Sequence, residues 1–122
     1  MPATDTAWAE EVLQEIVGRQ LSSVEFVQNY VQLRFDGPTI TAVTQPVVEA
    51  GGNTFRWSDP GFRDELCSRI TRKVMSARVL PEDSVRIAFD DGAVVKVSLR
   101  KDDYRAAEAI KFDLTPTTWW VL

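Results

Sequence analysis

Residues 30–42 read Tyr30-Val31-Gln32-Leu33-Arg34-Phe35-Asp36-Gly37-Pro38-Thr39-Ile40-Thr41-Ala42. Apolar and polar side chains alternate on both sides of Asp36-Gly37, the pattern of two strands joined by a tight hairpin turn. Centring the turn there sets Leu33 opposite Ile40 and Val31 opposite Ala42, so both strands turn their apolar residues to one face. Towards the N-terminus, Val24 and Phe26 alternate with Ser23 and Glu25. A turn at Gln28-Asn29 pairs Phe26 with Val31 and Val24 with Leu33. Both registers agree on the buried face, and they define a three-stranded meander.

The meander is preceded by a helical pattern. Trp8, Val12, Leu13, Ile16 and Val17 fall on one face, with Thr4, Asp5 or Thr6 as cap and Gly18 as stop. Beyond the meander, Pro46 to Trp57 contains Gly51-Gly52-Asn53 and reads as an irregular, flexible connection. Asp59 is placed as N-cap and Pro60 as first residue of a second helix carrying Phe62, Leu66 and Ile70, with Cys67 beside them. Three alternating runs follow: Met75, Ala77 and Val79; Val85, Ile87 and Phe89; Val95, Val97 and Leu99. Asp90-Asp91-Gly92 suits a three-residue hairpin loop that pairs Ile87 with Val95 and Val85 with Val97.

The two stretches match. Trp8, Val12, Leu13 and Ile16 map onto Phe62, Leu66, Cys67 and Ile70 at an offset of 54, and the strand residues follow at offsets of 53 to 55. The expected fold is therefore α+β. It consists of tandem duplicated α-β-β-β units with a pseudo-twofold relation, a mainly antiparallel sheet and two helices on one face. Residues 1–122 are read as a single domain, with repeat one at about 4–45, repeat two at about 58–100 and a C-terminal tail at 101–122. In the tail, Asp102 can cap a helical turn. Ile110, Phe112 and Leu114 alternate, and Trp119 to Leu122 form a candidate last strand.

The quoted Tyr30–Gly37 stretch, Pro60-Gly61-Phe62-Arg63-Asp64-Glu65-Leu66-Cys67, Phe89-Asp90-Asp91-Gly92, and Asp103-Tyr104 before Glu108-Ala109 together resemble a group of small uncharacterised bacterial proteins, a domain of unknown function. The resemblance covers most of the chain through turn and core residues and implies no activity and no catalytic residue. Some small acidic proteins of this kind are immunity proteins that neutralise toxins.

Composition narrows the function classes. The chain has no His and one Cys among 122 residues. Nucleophile–His pairs, His-ligated metals, intrachain disulfides and thiolate zinc cages are therefore outside its own chemistry. No EF-hand loop, phosphate-binding glycine loop or dinucleotide fingerprint is present, so no cofactor and no metal site is expected. A formal net charge of −4 argues against nucleic acid as partner. No apolar run approaches the length of a membrane span, and the first residues carry no signal-peptide pattern, so a bacterial cytoplasmic location is expected. The acidity is uneven: residues 1–61 hold three basic and eight acidic residues, whereas residues 62–122 hold eleven and ten.

The acidic pairs Glu82-Asp83, Asp90-Asp91 and Asp102-Asp103 sit at turns or caps, where Asp is favoured structurally, and provide no catalytic set. Cys67 reads as a buried structural thiol. The outward strand faces are more informative. Arg78 falls opposite Arg86, and Arg86 opposite Lys96, forming a row of three cations that calls for an anionic neighbour. The matching row of the first unit is Glu25, Gln32 and Thr41. Val27, Tyr30 and Val43 form an apolar outward row, and Trp120 is a candidate exposed aromatic. The binding candidates are thus Arg78, Arg86, Lys96, Glu25, Tyr30 and Trp120. The expected function is a non-catalytic protein-interaction module, toxin-neutralising in one form. It would meet a carboxylate-rich surface of a protein partner or of a second copy through Glu25. The alternative is a protein that binds a small anionic ligand in a groove between the two repeats, and an enzyme using carboxylates with Tyr30 or Tyr104 ranks third.

Overall fold

The computed structural model describes residues 2–115 and 118–122, with side chains described for residues 8–114, 121 and 122. Its strands form two five-stranded antiparallel sheets. In the first sheet, β1 (Ser23–Val27), β2 (Tyr30–Arg34) and β3 (Thr39–Ala42) make the meander. Phe26 faces Val31, Val24 faces Leu33, Leu33 faces Ile40 and Val31 faces Ala42, the registers expected from the turn positions. In the second sheet, β6 (Val74–Leu80), β7 (Ser84–Phe89) and β8 (Val94–Ser98) repeat that plan. Ile87 faces Val95 and Val85 faces Val97 as expected.

Each sheet is completed by a hairpin from elsewhere in the chain. The hairpin of β4 (Val47–Ala50) and β5 (Asn53–Phe55) follows β3 in sequence but pairs with β8. The hairpin of β9 (Ile110–Thr115) and β10 (Thr118–Val121) follows β8 but pairs with β3. The meander built by either half is thus extended by the hairpin that follows the other. The two sheets contribute to one apolar cluster that includes Leu33, Ile40 and Phe112 from the first and Val48, Ile87 and Val95 from the second. Between the β3 and β4 ladders, the buried Thr44 hydroxyl donates to the Ser98 carbonyl at 2.8 Å, tying the crossing chain to the end of β8.

Several expectations are corrected. The segment 46–57 is a hairpin rather than an irregular connection. Gly51 and Gly52 take φ of 59° and 81°, which a tight turn between twisted strands requires and glycine alone adopts without strain. Its strands are short and lack clear alternation, so they left little signal. The two helices do not share one face: α1 (Pro2–Leu13) packs on β6, and α2 (Phe62–Cys67) packs on β4 and β1. The first helix starts ahead of Thr4, Asp5 and Thr6, so none of these is its cap. Its inward face is Ala9, Leu13 and Ile16, rotated from the expected one, and Trp8 and Val17 are exposed.

Asp59 does not cap α2. Its carboxylate accepts the Arg56 N–H at 2.8 Å in the preceding turn, and the helix opens at Gly61 in the left-handed region. Cys67 is exposed, not buried, because Phe62, Leu66 and Arg69 occupy the inward positions and Cys67 falls one residue round the helix. At the start of β6 a bulge between Val74 and Ser76 shifts the alternation. Val74 is consequently buried and Met75 is 65% exposed, the reverse of the expected phase.

Candidate functional site

The registers bring the three cations together on the outer face of the second sheet. Arg78 on β6 faces Arg86 on β7, which faces Lys96 on β8. The chain supplies acids to both ends of this row. Arg78 Nε lies 3.2 Å from Glu10 Oε1 of α1, and Lys96 Nζ lies 2.7 Å from Glu49 Oε2 of β4. Arg86, in the middle, has no acidic partner among the described residues. Glu49 was missed in the sequence because it belongs to the unrecognised hairpin. Its only signal is an isolated acid beside the Gly51-Gly52 turn.

Beside Lys96 the same face sinks into an open groove of about 760 Å³. Its walls are the β4–β5 hairpin with Trp57 on one side and the β6–β7 turn with residues 98–105 on the other. Two ion pairs are internal to it, Lys96 with Glu49 and Arg100 with Asp83 at 3.4 Å. Ser98 donates to Asp103 at 2.6 Å and accepts the Arg100 N–H at 3.1 Å, which fixes the loop that carries Arg100 and Arg105. Arg56 and Arg105 line the groove without forming an ion pair among the described residues, as do Asp102 and Asp103. Trp57, half-buried, is held by ring contacts with Phe26 at 6.2 Å and Phe62 at 5.6 Å. The groove thus has one aromatic wall and, outside its two internal pairs, charges of both signs: Arg56 and Arg105 with Asp102 and Asp103.

Asp83 sits at the groove rim with an altered acidity. The Ser84 hydroxyl, donated to the carboxylate at 2.9 Å, holds its pKa below the ordinary aspartate value. Partial loss of hydration opposes this, and Arg100 and Lys96 add to the lowering. A depressed folded-state pKa means that the contact is intact above the ordinary aspartate range and is lost only as pH falls through the lowered value. Carbon-13 titration should therefore give Asp83 a midpoint below that of an unfolded aspartate, and Ser84→Ala should raise it. A midpoint at or above the unfolded value, or no response to Ser84→Ala, would contradict this geometry.

The other candidates lie apart from the groove. Glu25 and Tyr30 are on the first sheet, Glu25 held by Arg34 at 3.2 Å and Tyr30 half-buried opposite Val27. Neither joins the cation row within one copy of the chain. The Trp120 side chain lies outside the described residues. The space between the two sheets holds the apolar cluster, so the groove expected between the repeats is instead on the outside of the second sheet. The start of the tail contributes Asp102, Asp103 and Arg105 to the groove wall, and its later part lengthens the first sheet through β9 and β10. Among the described residues, no group of three or more His, Cys, Asp or Glu side chains converges as metal ligands do, and no helix is long and apolar enough to cross a membrane. Comparison with models of known protein families, with curated proteins and with solved structures finds no match.

Proposed function

We propose that the chain is a non-catalytic protein-interaction module whose outer groove on the second sheet receives a carboxylate-rich segment of a partner protein. The observation that carries this reading is Arg86, in the middle of the cation row with no acidic partner among the described residues, beside a groove lined by Arg56 and Arg105, in which Glu49 and Asp83 are already paired and Asp102 and Asp103 are the remaining acids. Like charges held side by side on a sheet repel, and an incoming anion relieves that cost. Arginine presents several donors in a planar fork suited to carboxylates. A toxin is one class of partner that such a module neutralises. The chain itself is read as a tandem duplication with a pseudo-twofold relation, a reading supported by the shared strand plan of the two sheets.

A hexaglutamate peptide is the direct probe. Its addition should shift the NMR signals of Arg86, Lys96, Arg56 and the Trp57 indole. Arg86→Glu should weaken binding about tenfold, equivalent to roughly 1.4 kcal/mol, and high salt should abolish it. Shifts confined to other residues, or binding indifferent to Arg86→Glu, would overturn the assignment. The groove volume also suits a small anionic ligand. Binding of citrate at the same residues, with none of hexaglutamate, would favour that second reading.

A further inference from the structure

The two sheets treat their outer meander strands differently. β6 is the edge of the second sheet, and two of its outward backbone groups are capped by side chains of α1 and of the 3-10 turn Gln14–Ile16 that continues it. Gln14 Nε2 donates to the Ala77 carbonyl at 2.7 Å, and the Val79 N–H donates to Glu10 Oε1 at 2.9 Å. Ala77 and Val79, whose side chains also belong to the core cluster, are 1% and 5% exposed. An edge strand left open is a template for another strand, and capping by side chains of a packed helix removes that template.

β1 is the corresponding edge of the first sheet, and it lacks such caps. Val27 and Tyr30 flank a two-residue turn and form a hydrogen-bonded pair, as Glu25 and Gln32 then do. The N–H and C=O groups of Val24 and Phe26 therefore point away from β2. None of the four has a partner among the described residues. Val24 and Phe26 are only half-buried, unlike Ala77 and Val79 at an offset of 53.

The cause is legible in α2. At an offset of 54 from Glu10 and Gln14 stand Asp64 and Ser68, each with a shorter side chain. Ser68 turns back on its own helix, donating to the Asp64 carbonyl at 2.7 Å. The helix that packs on β1 covers the Phe26 ring with the Arg63 guanidinium at 4.9 Å but does not reach the strand backbone.

We infer that the open edge of β1 takes up an extended segment of a partner protein, with a basic residue between two apolar ones, as an added antiparallel strand. The hydrogen bonds come from Val24 and Phe26, and the side-chain preference comes from their neighbour. A residue opposite Glu25 meets a carboxylate that is half-exposed and held only by the surface pair with Arg34. Residues opposite Val24 and Phe26 fall on the apolar face of the sheet. A second copy fits less well. The antiparallel self-pairing that uses all four outward groups of Val24 and Phe26 is centred on Glu25, and it sets Glu25 against Glu25 in the wide pair, where side chains approach most closely and like charges repel. This surface is separate from the groove and does not depend on it.

The test uses the full chain with a capped peptide of sequence Thr-Val-Lys-Val-Thr, and the same peptide with Glu in place of Lys. The Lys peptide should slow amide exchange at Val24 and Phe26 and give contacts from its backbone to theirs. It should bind at least fivefold more tightly than the Glu peptide, and Glu25→Lys should reverse that order. Val24→Pro removes an outward N–H that β2 does not use, which an edge strand tolerates. It should abolish binding while β2 amides keep their protection, and a peptide N-methylated at its valines should fail on the wild-type chain. The inference is overturned if exchange at Val24 and Phe26 is unchanged, or if the two peptides bind alike. It is also overturned if the chain dimerises through β1 in place of binding peptide.

Discussion

Alanine in place of Phe112 is expected to cost about 3–5 kcal/mol of folding stability. Phe112 lies in β9, 70 residues or more beyond the strands of the first meander, yet its side chain is fully buried in the common cluster. It faces Ile40 on β3 across the ladder. The loss combines the transfer of an aromatic ring with a cavity that the two-sheet core cannot close, because each wall is a hydrogen-bonded ladder. For a domain of this size that is a large part of the whole stability. Urea unfolding measures it directly. A loss below about 1 kcal/mol would mean that the C-terminal hairpin is an appendage and not a structural part of the first sheet.

Asp91→Ala is expected to cost about 1–3 kcal/mol, a large amount for a residue in a hairpin loop. Arg69, nine-tenths buried behind α2, places Nη1 3.2 Å from Asp91 Oδ2, while Glu65 is more distant at 3.9 Å. Asp91 also accepts the Ala93 N–H at 3.1 Å, which shapes the loop between β7 and β8. Without Asp91 the mostly buried arginine keeps only the longer pair with Glu65. Arg69→Met should cost less, because it removes the buried charge together with an Nε that has no partner. The double variant Arg69→Met/Asp91→Ala should be more stable than Asp91→Ala alone. If Arg69→Met proves as damaging as Asp91→Ala, the pair is not the electrostatic clamp described. Asp91→Asn, which keeps an acceptor for Ala93, separates the loop contribution from the charge.

The candidate site was half legible. The row Arg78, Arg86 and Lys96 follows from hairpin registers, and those depend on turns of two or three residues that local sequence specifies. The acids at its ends were not legible, since Glu10 comes from a helix packed on the edge of β6 and Glu49 from a strand paired with β8. Both are long-range contacts with no counterpart in spacing or composition. The groove was placed between the halves for the same reason: local patterns locate turns but not the path of the chain between sheets.

Sequence alone determined the α+β class, the two meanders, their registers and, apart from the start of β6, their apolar faces. Period-two alternation and turn chemistry are local, and a slip of one residue would expose every core side chain. Tertiary structure alone decided that each hairpin crosses to the sheet of the other meander, because edge pairing is chosen by which backbone ladder is left open once the meanders form. It also decided the face of the first helix. Burying Ala9, Leu13 and Ile16 against β6 leaves Trp8 exposed and brings Glu10 and Gln14 onto the edge of that strand. The acidic imbalance of the first 61 residues thus acquires a structural meaning: Glu10 and Glu49 serve the second sheet, and Glu25 is left to mark the open edge of the first.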